Sequence, residues 1–110
     1  MIRFGNGGGF TGATITYSLL SNGQLTKSDG GENTSLKTVD SKTVKELFEK
    51  AKELITYSYN DPDNMYSFME IQSSEKKQYM VWNLGSKNID TRVTQLYYRL
   101  ISLTKSISKP

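Results

Sequence analysis

The chain has no cysteine and no histidine, and it carries only two prolines and one tryptophan among its 110 residues. Without cysteine there are no disulfides, no thiol catalysis and no thiolate metal sites. Without histidine the usual neutral-pH base and the commonest metal ligand are missing too. No long apolar run is present, so no membrane-spanning helix is expected. Met1 is followed at once by Ile2-Arg3-Phe4, with neither a charged n-region nor an apolar h-region. Taken as the native start, Met1 implies a cytoplasmic protein. Had a lipoprotein signal been cut away, the protein would be extracytoplasmic and held by a lipid anchor.

What is present describes one α+β domain spanning residues 1–110. Hydrophobic residues make up 35%, aromatics 11% and charged residues 23% of the chain. A chain this long hides about two-thirds of its extended surface on folding, enough for a modest core. The net charge is +3, and the excess lies in residues 85–110, where Lys87, Arg92, Arg99, Lys105 and Lys109 face Asp90 alone. Such a block can touch phosphates, but five spread cations make no cluster, and a solvated face is the plainer reading.

Ile2–Phe4 reads as a short strand, and residues 5–12 as a loop holding five of the nine glycines. Ala13–Leu20 alternates, with Ala13, Ile15, Tyr17 and Leu19 on one side, as a half-buried strand does. Asn22-Gly23 suits a two-residue type I′ turn into a returning strand, Gln24–Ser28. Ser35–Val39 offers a further strand. Asp40 or Ser41 can cap a helix, and Thr43 with Glu46 repeats the capping-box spacing. Behind them Val44, Leu47, Phe48, Ala51, Leu54 and Ile55 form one helical stripe, expected to be buried against the sheet. Asn60–Asn64 is a loop by composition. Met65–Gln72 and Lys77–Leu84 form a hairpin. A second helix, capped by Asp90 or Thr91, carries Val93, Leu96, Tyr97, Leu100, Leu103, Thr104 and Ile107. The order β-β-β-(β)-α-β-β-α predicts a small antiparallel sheet with both helices packed on one face.

Gly7-x-Gly9-x-x-Gly12 fits the dinucleotide fingerprint in letters only, because a β-patterned segment follows where a helix N-terminus must stand. Residues 5–12 are therefore either a conformational loop needing positive φ or a backbone rim that meets a partner. In the second case Asn6, Gly7, Gly8, Gly9, Phe10 and Thr11 are the ligand- or partner-binding residues, with Asn6–Gly9 exposed and mobile and Phe10 partly buried. Asn60-Asp61-Pro62-Asp63-Asn64 lacks the glycine and glutamate of a calcium loop, so no metal site is expected. Tyr66, Phe68, Tyr79 and Trp82 on the hairpin read as core rather than as a base-stacking platform. Glu70, mid-strand among apolar residues, is the carboxylate that burial would most readily convert into a general acid.

The run Phe4-Gly5-Asn6-Gly7-Gly8-Gly9-Phe10-Thr11-Gly12, continued by Tyr17-x-Leu19-Leu20-x-Asn22-Gly23-x-Leu25, resembles the start of a family of small uncharacterised Bacteroidota proteins. The similarity extends to Asn64-Met65-Tyr66 and Val81-Trp82. Some members carry lipoprotein signals, so the resemblance implies an extracytoplasmic origin; it brings no activity and no catalytic residues.

The expectation is a non-catalytic binding or protein-interaction module presenting the glycine-rich segment, monomeric, without a cofactor, whose partner is a protein or a small ligand. The alternatives are a small enzyme using a carboxylate such as Glu70 and, more weakly, a nucleic-acid binder using the basic C-terminal block.

Overall fold

A computed structural model describes residues 1–8, 14–29 and 32–105. It is an α+β fold built from β1 (Ile2–Gly8), β2 (Thr14–Leu19), β3 (Gln24–Asp29), β4 (Glu32–Thr38), α1 (Ser41–Lys52), β5 (Tyr59–Asn60), β6 (Met65–Gln72), β7 (Lys77–Trp82) and α2 (Thr91–Lys105). The strands make one seven-stranded sheet in the order β4-β3-β2-β1-β6-β7-β5. Every pairing is antiparallel except β5 with β7.

The first strand is longer than its apolar residues suggest. It runs through Gly5, Asn6 and Gly7 to Gly8, paired with β2 on one side and β6 on the other. Asn6–Gly8 are thus central-strand residues rather than a mobile rim. Cross-strand partners supply what the glycines lack locally, since Gly5 stands opposite Phe68 and Gly7 opposite Tyr66.

The β2–β3 turn also differs from expectation. Gly23 alone has a positive φ, +94°, and its amide donates to the Leu20 carbonyl at 2.9 Å. The loop is therefore the three-residue Ser21-Asn22-Gly23 with glycine last, not a two-residue type I′ turn. Asn22 uses its side-chain oxygen to accept from the Gln24 amide at 2.9 Å.

Ile2 and Phe4 from β1, Leu19 from β2, Leu25 from β3, Met69 and Ile71 from β6 and Met80 and Trp82 from β7 share one sheet face. Both helices bury their stripes there, α1 through Val44, Leu47 and Ala51 and α2 through Val93, Leu96, Tyr97 and Leu100. Asp40 caps α1, accepting from the Thr43 amide at 3.0 Å and the Thr43 hydroxyl at 2.7 Å. Those bonds, the hydroxyl first, hold the Asp40 carboxyl below the ordinary carboxylate range. Glu46 closes no capping box; it pairs with Arg99 of α2, whose hydrogen bond and charge hold its carboxyl low. Asp90 receives the Arg92 amide at 2.9 Å and the Arg92 guanidinium at 2.7 Å. Phe48, placed in the core by its spacing, is only half-buried, as is Ile55. Ile107 and Lys109 lie outside the described residues.

Tyr57 and Tyr59 pack parallel, 6.4 Å apart, beyond α1. The Tyr57 hydroxyl accepts from the Asp90 amide at 3.0 Å, tying the end of α1 to the start of α2. Leu47 is 1% exposed. Leu47→Ala is expected to lower stability by about 2–5 kcal/mol in urea unfolding; a loss below about 0.5 kcal/mol would contradict the packing of α1.

Candidate functional site

Alternation along β1 gives its two faces different surroundings. On the face without helices, Gly5 and Gly7 leave no side chains, and the Phe68 and Tyr66 rings lie across them. A Cβ at Gly5 would stand 1.9 Å from the Ile15 carbonyl oxygen and 3.2 Å from the Phe68 ring. One at Gly7 would meet the Thr14 and Tyr66 hydroxyls at 2.7 Å. Phe68 is buried there without any helix above it, between Tyr66 at 6.4 Å and Tyr79 at 6.1 Å. Of the four hairpin aromatics expected in the core, Trp82 and Phe68 are buried, whereas Tyr79 is 46% exposed. Partial burial, with Tyr66 and Glu70 nearby, raises the Tyr79 phenol above its ordinary value.

Glu70 belongs to this same face. Its Oε1 accepts from Gln72 Nε2 at 2.7 Å and from Arg3 Nη1 at 3.4 Å. Among the described residues it is the only carboxylate lining the shallow depression formed by Arg3, Thr14, Thr16, Tyr66, Phe68 and Tyr79. Among the described residues no three acidic side chains come together as a metal-holding group.

The other candidate is the C-terminal end of β1. A depression of about 180 Å³ is lined by Asn6, Gly7, Met65, Tyr66, Ser67, Asn83 and Leu84. Gly8 has φ +94°, and a Cβ there would stand 1.7 Å from the Asn64 carbonyl oxygen, so only glycine lets β1 pass this close to β6. Gly9, Phe10 and Thr11 lie outside the described residues. The structure thus puts Asn6, Gly7 and Gly8 beside two residues not expected to take part, Met65 and Leu84.

Leu84 reads in the sequence as the end of an apolar strand, yet β7 stops at Trp82. The turn chemistry of Asn83–Ser86 stops it. Asn83 Oδ1 accepts from the Gly85 amide at 2.7 Å, and Ser86 Oγ accepts from the Asn83 amide at 2.9 Å. Ser86 Oγ donates in turn to Asp61 Oδ2 at 2.8 Å, which ties this turn to the Asn60–Asn64 segment. Leu84 is left 98% exposed and Met65 67% exposed, the two most exposed large apolar residues among the described ones. The Asn-x-Gly-Ser turn was the available sequence signal for Leu84.

The basic C-terminal block is partly engaged: Arg92 pairs with Asp90 and with Glu53 of α1, and Arg99 with Glu46. Among the described residues no helix is long and apolar enough to cross a membrane. In comparisons with known proteins, no protein-family model and no curated protein matches this chain.

The role of Gly5 has a sign that can be measured. Alanine in place of a loop glycine gains about 0.4–1 kcal/mol by restricting the unfolded chain. In β1, Gly5→Ala is expected instead to cost about 1–3 kcal/mol or more, because backbone, not a flexible side-chain end, blocks the Cβ. A stabilised variant in chemical denaturation would contradict this.

Proposed function

We propose that this protein is a non-catalytic protein-interaction module that meets its partner with the glycine-rich end of β1 and the apolar pair Met65 and Leu84. One observation carries the reading: the two most exposed large apolar side chains among the described residues flank the depression formed around Asn6 and Gly7. Single exposed apolar residues are ordinary, but a pair converging on one depression suits a contact surface. Methionine adds an adaptable, polarisable contact. The chemistry offered at this end is the Asn6 side-chain amide and the apolar contact of Met65 and Leu84.

The test is affinity capture with two baits, the wild-type chain and its Met65→Lys/Leu84→Lys variant. A protein held by the first is expected to bind the second at least about tenfold more weakly. The melting temperature should hold, because both side chains are exposed. Hydrogen exchange in the complex should slow at residues 83–85. Equal capture by both baits, or protection elsewhere on the sheet, would contradict the proposal.

A further inference from the structure

At the opposite end of β1 lies a second surface. The α1 residues Lys45, Phe48, Glu49 and Lys52 share one helix edge, spaced by three and four residues, and Ile55 lies in the turn just beyond the helix. The other edge carries Glu46 and Glu53, which face Arg99 and Arg92 of α2. Among the described residues, one flank of α1 therefore has a helical neighbour and the other has none. Between that open flank and the β6–β7 turn runs a groove of about 590 Å³. This volume falls within the roughly 300–1,000 Å³ of small-molecule sites.

The groove is apolar below and cationic above. Met1, Ile2, Phe48, Ala51, Ile55 and Ile71 supply its apolar lining. Phe48 and Ile55 are only half-buried there, although the rest of their stripe is closed into the core. Three lysines line the groove, Lys45 and Lys52 from α1 and Lys76 from the turn across from it. None of them is among the ion pairs of the described residues. Glu49, one turn from Lys45 on the same helix edge, and Glu75 in the turn oppose them, so the lining side chains keep an excess of one positive charge. Lysine stems can lie along apolar surface while their ammonium groups stay in water. A matching occupant has a long apolar body and one negative head.

We propose that this groove binds a free long-chain fatty acid, its chain along Phe48, Ile55 and Ile71 and its carboxylate between Lys52 and Lys76. A neutral amphiphile would leave the lysines unused, and a cationic one would be repelled by them. The site is separate from the Met65–Leu84 surface, so either assignment can fail without the other.

Myristate, added below its critical micelle concentration and followed by amide chemical shifts, tests the assignment. A saturable one-to-one titration is expected, with shifts confined to residues 1–2, 45–55 and 71–76. Methyl myristate and dodecyltrimethylammonium should bind at least about tenfold more weakly, as should the Lys52→Glu/Lys76→Glu variant. Both side chains are exposed, so the variant's melting temperature should hold, and unchanged shifts at Met65 and Leu84 would show it intact. The proposal is overturned if no saturable titration occurs, if the ester binds equally well, or if the shifts fall elsewhere. It is likewise overturned if only phosphatidylglycerol vesicles produce the shifts, or if the same amides shift with protein concentration alone, which would assign the groove to a membrane or to a second copy.

Discussion

The structure turns on Gly5, where three parts of the molecule meet at one residue without a side chain. β1 lies between β2 and β6, so Gly5 is in the middle of the sheet. On the open face the Phe68 ring occupies the place of the missing side chain. From the helix side, the buried Tyr97 hydroxyl of α2 donates to the Gly5 carbonyl at 3.0 Å. Tyr97 also stands edge-on to Trp82 of β7, ring centres 5.1 Å apart. Ile2 and Phe4, both 0% exposed, extend the same strand into the core shared by both helices. A hydrogen bond of this kind contributes roughly 1 kcal/mol net. A fully buried aromatic or aliphatic side chain contributes about 1.5–3 kcal/mol. Packing around β1 therefore outweighs any single polar tie.

The same ranking places the helices. Arg99 with Glu46 and Arg92 with Glu53 link α1 to α2 at the surface, where exposed pairs contribute little. The buried stripes hold the helices, and the ion pairs only close the seam. Because α2 claims one flank of α1, the other flank and the β6–β7 turn are left to shape the groove. The remaining surfaces follow from β1. Its N-terminal end feeds the groove through Ile2, and its C-terminal end places Asn6 and Gly7 beside Met65 and Leu84.

Local pattern was enough for the elements whose causes are local. The α1 stripe from Val44 to Ile55 and the β6 run Met65–Gln72 announce themselves by period. Tyr17 and Leu19 point where alternation put them, towards the helices. The extent of β1 was not legible, because glycine carries no pattern and its rings come from Phe68 and Tyr66, some sixty residues on. Phe48 was misplaced for a related reason: the stripe shows which helix face turns inward, not how far the sheet extends beneath it. β5, two residues paired in parallel with β7, is held by the Asp61 amide donating to the Val81 carbonyl at 2.9 Å, a bond no local signal announces. For the candidate site, Asn6, Gly7 and Gly8 stood out by composition. Leu84 did not, since an apolar residue after Val81-Trp82 looks like more strand until the Asn83 turn is recognised.

Native-state hydrogen exchange along β1 tests the central role of this strand most directly. Amides of a strand paired on both sides exchange only when the sheet opens, and those of a glycine loop exchange freely. The account predicts that the amides from Phe4 to Gly7 exchange as slowly as those of Met69 and Met80, with opening free energies near that of global unfolding. Rapid exchange at Gly5, Asn6 and Gly7 while β6 and β7 stay protected would contradict it, returning the glycine run to a loop at the edge of a smaller sheet.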